Sequence, residues 1–599
     1  MMLFRYATVV LILSLAGGSS FSAAETLHVY GTLDTARKEI TGWMEYTVPS
    51  RPGLNSFEFQ LYPELYASAE SPYLRRLPDL LEHYRRSGRW ASMAIDSVRL
   101  DGRIAEVDLT LESTRGIMTV PEGENLNDRI IRLYFRTSLP EWGDRLSYHN
   151  DEYVLSQWFP CPARLTSSGW INPEYGPFAE PVGPFLHYDV EFCLPSGFIV
   201  AAPVPPVSER TAESMDYYRY SFGPAHDFAL AVSPRYLIDS SSVDGTILKI
   251  YYREGERRLI ESIRLAVSET FAFMSDRAGQ YAYDYFTVAT ADAVNAAGIE
   301  FPGMTVLRSP RGRFMITNYF ESLVIHETVH QWFYALVASD PVVSPWLDES
   351  VTEFFTGEIL SGYRGSEANF MDVAGWKMTY YDYHRSQAEG GSGSYGLNSA
   401  AGDFINGRDY FGTIYARGPL IVETFDNLLG DSLSAVFWSR YFRENLFDHA
   451  DEKTFLETAG EVGGDDIEEA LKTMLTSPAA IDYAVFDLRS RPYDSARYEV
   501  AVVLVNRGGL DVPIDYQLVL STRDTIEYIW YPETDIEEIM HYVPAPAVAA
   551  VIDPHHLIAC DDDLFNNSLL RGAESGPGMR LTGKIMFLIE SLLSLAGGL

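Results

Sequence analysis

The residues best able to do chemistry lie in the run Val324-Ile325-His326-Glu327-Thr328-Val329-His330. His326 and His330 are four apart inside an apolar pattern of helical spacing. Both imidazoles therefore fall on one helix face and can share one ion. Glu327 stands beside them, where a carboxylate can take a proton from water that the ion activates. Nineteen positions after His330 comes Glu349, near the start of a second predicted helix. Two nitrogen ligands favour zinc over magnesium. Three protein ligands leave a fourth position open, as catalytic zinc sites do and structural ones do not.

The setting of these residues resembles a known family. HExxH, eighteen intervening residues and a glutamate within Trp346-Leu347-Asp348-Glu349 are similar to the gluzincin pattern of the aminopeptidase N family. Ala297-Gly298-Ile299-Glu300-Phe301 is similar to that family's GxMEN signature, with Ile299 and Phe301 replacing methionine and asparagine. Tyr415-Ala416-Arg417-Gly418 is similar to its YxKG segment, with Arg417 in place of lysine.

The resemblance implies a zinc aminopeptidase acting on peptides with a free N-terminus. His326, His330 and Glu349 then hold one zinc ion per chain. Glu327 is general base and afterwards proton donor to the leaving amine. Glu300 binds the substrate's α-ammonium, the backbone at Ala297 and Gly298 lines the peptide groove, and Tyr415 donates to the developing oxyanion. A second amine anchor is not fixed by any motif. Asp151 and Glu152, upstream of Phe159-Pro160-Cys161, are the nearest candidates, against the plainer reading of exposed turn carboxylates. Glu353, one turn after Glu349, reads as a solvated helix carboxylate or as support for a ligand. Three alternatives stay open on the same scaffold: an endopeptidase, an epoxide hydrolase like the family's leukotriene branch, and a catalytically silent peptide-binding protein.

The elements that must position these groups form a multidomain α+β chain. Residues 25–245 show the period-2 alternation of an antiparallel β domain, as in Phe57, Phe59 and Leu61. Residues 239–242 read as a linker. Residues 246–490 change to helical spacing, with helices expected over 258–277, 317–337, 346–360, 415–429 and 433–445. The resemblance makes this region a thermolysin-like peptidase domain. Residues 491–568 return to strands and read as a small β-sandwich. Residues 569–599 form a tail with an amphipathic apolar segment, too short and too interrupted to span a membrane comfortably. The order and length resemble the short, three-domain bacterial branch of the family.

Composition narrows the partners. The formal net charge of -37 sets the surface against phosphate backbones, so no nucleic-acid partner is expected. Membrane contact through the tail has no support beyond its amphipathic pattern, and the oligomeric state is not legible. Arg5, the apolar run 7–15 and the small residues Ser22-Ala23-Ala24 read as a signal peptide over 1–24, hence an exported, periplasmic or extracellular protein. Of Cys161, Cys193 and Cys560, the first two are the pair able to bridge, with three buried thiols as the equal alternative.

Overall fold

The computed structural model describes residues 25–571 except 177, 179, 182, 310–317, 366–369, 374–375 and 389–392. The expected signal peptide, nearly all of the tail and the glycine-rich stretch at 390–392 lie outside the described residues. Among the described residues no helix is long and apolar enough to cross a membrane.

The N-terminal region is β-rich. Thr26–Asp34 alternates buried and half-buried side chains, with Leu27, Val29 and Leu33 in the core. It pairs antiparallel with Glu39–Thr47 and parallel with Leu186–Pro195 inside an eight-stranded sheet. A smaller sheet packs Leu146–His149, Glu152–Leu155, Leu230–Ser233 and Ile199–Ala201 side by side. Arg145 and Asp144 stand at the entry to its first strand, which is how β residues reach the site described below. Short helices, Tyr62–Tyr66, Pro72–Arg75 and Pro78–Ser87, interrupt the strands. Pro78–Ser87 opens on proline and ends at Gly88, whose φ of +65° is left-handed and suits glycine.

The second region is mixed at its start and helical thereafter. Thr246–Tyr252 and Tyr285–Thr290 run parallel, and the helix Leu259–Arg277 makes the crossover between them. Residues 239–242 do not form a linker. They belong to the strand Leu237–Val243, which pairs with Thr246–Tyr252 at the edge of this sheet. An edge strand needs one paired side only, so a run of serines suffices there. The opposite edge is Gly298–Phe301, hydrogen-bonded to Met304–Leu307. The helix Tyr319–Val329 packs against this sheet, Glu349–Arg364 packs on that helix and Gly418–Glu444 on Glu349–Arg364, around Phe333, Phe354, Phe355 and Trp438, whose rings meet at 4.8–5.8 Å.

Two helices differ from their expected lengths. The helix expected over 317–337 ends at Val329 and gives way to turns, and at Tyr334 the chain holds a φ of +131° that no helix accommodates. The helices expected at 415–429 and 433–445 run from Gly418 to Glu444 as two segments parted at Gly430, whose φ of +70° and ψ of +158° are not helical. Seven residues of π-helix, Phe411–Arg417, lead into the first segment and contain Tyr415.

Beyond residue 480, Tyr483–Pro492, Tyr498–Asn506 and Ile536–Val543 form one antiparallel sheet. Thr525–Trp530, Ile514–Leu520, Ala547–Ile552 and Ser568–Leu570 form another. All three cysteines are buried free thiols, so Cys161 and Cys193 are not bridged.

Candidate metal centre and its cleft

The helix Tyr319–Val329 and its first following residue turn both histidines inward. His326 Nε2 and His330 Nε2 stand 3.0 Å apart, and Glu349 Oε2 lies 3.4 Å from each. All three side chains are buried. An ion held tetrahedrally at ~2.0–2.1 Å keeps its donors about 3.3–3.4 Å apart. The three donors therefore fit zinc. Glu349 Oε2 has no hydrogen-bond partner although the residue is 6% exposed. An orphaned carboxylate oxygen facing two ring nitrogens is what a cation satisfies.

Each histidine is held from behind. His330 Nδ1 lies 2.8 Å from Asp348 Oδ1, and His326 Nδ1 lies 3.4 Å from Glu353 Oε1. Such carboxylates fix the ring orientation and raise ligand basicity. Glu353 is thus not a solvated helix carboxylate. It is buried, accepts from the Tyr380 hydroxyl and lies 3.5 Å from His384 Nε2. Asp348 carried no signal of its own in the sequence.

These charges set the titration of the site. Burial by itself lowers the pKa of an imidazole. Around His326 the carboxylates Glu353 and Glu349 outweigh it and lift the ring to about 9. Around His330, Asp348 does the same. Burial acts to raise Glu349, but the two facing imidazoles prevail and hold it well below the ordinary carboxylate range. Glu327 goes the other way: burial pushes it up to about 8, against the pull of His326.

Glu327 is 4% exposed, and its Oε2 has no hydrogen-bond partner. Gly298 makes room for it. A β-carbon on Gly298 would stand 2.3 Å from Glu327 Oε1, so only glycine lets the edge strand pass there. Tyr415 reaches the same centre from the π-helix, and its hydroxyl donates to Glu349 Oε1. The approach depends on Gly418, where a β-carbon would meet Ser350 Oγ at 2.1 Å. Arg417 points elsewhere, to the carbonyls of Ser477, Pro478 and Ala479.

A cleft of about 950 Å³ runs past these residues. Ala297, Gly298, Glu300, His326, Glu327, Glu349 and Tyr415 all line it, while His330, at 1% exposure, joins them from behind through the metal donors, so the structure brings every expected site residue together. Glu300 is not a lone carboxylate. It is ion-paired with Arg145 of the N-terminal region, which also pairs with Glu180. Arg145 Nη1 donates to the Glu300 carbonyl at 2.9 Å and to the Tyr334 hydroxyl at 3.0 Å. Its guanidinium lies 5.1 Å from the Phe301 ring centre and 5.2 Å from that of Tyr334. Phe301, where the resembling family has asparagine, is thus a face for this arginine.

Neither Asp151 nor Glu152 lines the cleft. Glu152 is buried and bound by Arg235 at 2.7 Å, Arg253 at 3.1 Å and the Asp292 N–H at 3.0 Å, and Asp151 is exposed in a turn. The second carboxylate beside Glu300 is Glu180. It comes from a loop that Tyr410 fastens by donating to the Phe178 carbonyl at 2.7 Å. His555 and His556 are exposed in a turn, away from any metal cluster among the described residues.

Residues 266–474 match the family model of the Peptidase family M1 domain. The match contains both histidines, Glu327, Glu349 and Tyr415. Together with the converging donors, it supports a hydrolase of the zinc metallopeptidase class. No curated protein matches the chain.

Proposed function

We propose that this protein is an aminopeptidase that removes residues from the free N-terminus of peptides, with a thermolysin-like catalytic domain followed by a small β-sandwich. One observation carries the reading. At one part of the cleft Glu300 and Glu180 share a single guanidinium, and burial and Glu300 push Glu180 well above the usual carboxylate range, so the second carboxyl group lacks a cation of its own. A single α-ammonium supplies one, and a blocked terminus does not.

When bound, zinc supplies the Lewis acidity that polarises the scissile carbonyl and makes water a usable nucleophile near neutral pH. The chain does the rest. Glu300 and Glu180 hold the ammonium and so fix which amide lies opposite Glu327. Glu327 takes the attacking water's proton and returns it to the leaving amine. The Tyr415 hydroxyl, turning from Glu349, donates to the developing oxyanion, which favours the transition state over the bound substrate. The leader-like run at residues 7–15 supports export of the enzyme.

A second reading, endopeptidase, rests on Arg145 already pairing with Glu300, which would spare that carboxylate from an amine. Paired substrates decide between them. The proposal expects zinc-dependent release from free aminoacyl-fluorophores and none from their N-acetylated forms, with both silent in Glu327→Gln. Cleavage of acetylated peptides at comparable rates would establish the endopeptidase instead.

A further inference from the structure

The cleft has a lobe that the metal centre does not use. Tyr62, Leu65, Tyr73 and Leu77 line it together with Asp144. The Tyr73 hydroxyl donates to Asp144 Oδ2, and the Asp144 N–H donates to the Tyr66 hydroxyl at 3.1 Å. The rings of Tyr62, Tyr66 and Tyr73 stand 5.4–6.2 Å apart, so the carboxylate sits against an aromatic wall. The nearest fixed cation is the adjacent Arg145, whose guanidinium is taken up by Glu300, Glu180 and Tyr334.

The charges here do not balance. Asp144, Glu180 and Glu300 are three carboxyl groups around one fixed cation, Arg145, and burial pushes Glu180 well above the usual carboxylate range, so two of the three lack a partner charge. An α-ammonium held by Glu300 and Glu180 neutralises one of the remaining two. Asp144 then faces a lobe of aromatic and aliphatic surface with the Tyr73 and Tyr66 hydroxyls beside it and no second cation. Burial pushes its carboxyl up, against the pull of Tyr73 and Arg145, so the ionised form gains from a further cation.

We propose that Asp144 sets the specificity of the cleft by receiving the charged end of an N-terminal lysine or arginine side chain. The aliphatic stem of such a residue packs on Tyr62, Leu65, Tyr73 and Leu77, and its head meets the carboxylate and the tyrosine ring faces. A norleucine of the same length fills the lobe but leaves the carboxylate desolvated and without a cation, which is the costly case. The acidic surface, at a net charge of -37, draws cationic peptides to the mouth. This inference rests on the aminopeptidase reading.

The test compares lysyl-, arginyl- and norleucyl-fluorophores on zinc-loaded full-length protein and on Asp144→Asn, which keeps the size of the side chain. The wild type is expected to favour lysyl over norleucyl by about ten-fold or more in kcat/KM, and the ratio to fall by a similar factor in Asp144→Asn. A second measurement needs no turnover. Calorimetry on Glu327→Gln is expected to show lysinamide binding about ten-fold tighter than norleucinamide, a difference lost when Asp144→Asn is added. Norleucyl turned over as well as lysyl, or both rates falling together in Asp144→Asn, would overturn the assignment alone. No release from any free aminoacyl substrate would remove the aminopeptidase reading and this inference with it.

Discussion

Gly298→Ala tests how tightly the edge strand fixes Glu327, the proposed general base. The added β-carbon would lie 2.3 Å from Glu327 Oε1, 2.5 Å from Cδ and 2.7 Å from Cγ, where ordinary contact begins at 3.4 Å. Relief therefore needs a relative movement of roughly 1 Å. The strand is the stiffer partner. It is paired to Met304–Leu307, and its Glu300 and Phe301 carbonyls accept from Arg145 at 2.9 Å and Gln331 at 3.0 Å. The carboxylate must give way. A displacement of that size in a proton-transfer group costs about 100-fold in rate, roughly 2.7 kcal/mol in the barrier. The metal donors lie off the contact, so zinc content is expected to match wild type, with KM little changed and stability lower by about 1–3 kcal/mol. Steady-state kinetics on the best free-amine substrate, run beside metal analysis of the same preparation, gives both numbers. A kcat within about three-fold of wild type, or zinc lost in proportion to activity, would refute the reasoning.

Three further outcomes follow from the same contacts. Asp348→Ala removes the carboxylate 2.8 Å from His330 Nδ1 and should weaken zinc affinity about 10–100-fold in competition with a chromogenic chelator; unchanged affinity would mean that the Phe333 carbonyl and Thr352 hydroxyl, each at 3.2 Å, orient the ring unaided. Arg145→Met leaves the buried Glu300 and the half-buried Glu180 without their cation and should cost about 3–5 kcal/mol in denaturant unfolding, whereas a variant as stable as wild type would contradict the pairing. His226 is pushed down to about 4, chiefly by burial, so it stays neutral in the folded chain while the unfolded chain takes up a proton near 6.5. Its contribution is complete above pH 6.5 and is lost as pH falls towards 4, up to about 3 kcal/mol; His226→Gln should flatten that part of the stability profile, and an unaltered slope would assign the loss to other groups.

What the sequence made legible is what lies close along the chain. Four-residue spacing placed His326 and His330 on one face because a helix brings such residues together whatever surrounds it. Glu349 was reached through its spacing and setting. Glu353 was open to misreading, since a carboxylate one turn further along looks solvated unless the helix is buried all round, as Val351, Phe354, Phe355 and Ile359 show this one to be. Arg145 and Glu180 gave no local signal. They lie 155 and 120 residues before Glu300, and only the packing of the N-terminal region against the catalytic one brings them to it. The π-helix at Phe411–Arg417 left no periodic trace, because a single wide turn shifts the pattern by one residue and no more. The strand at 237–243 was hidden by its serines, which an edge position tolerates.

The most direct test of the central claim is the order in which products appear from a free decapeptide, followed by mass spectrometry with zinc-loaded enzyme, with a chelator and with Glu327→Gln. The account predicts stepwise loss of single residues from the N-terminus, abolished by the chelator and by the substitution. Internal fragments as the first products, or stepwise loss that survives both treatments, would contradict it.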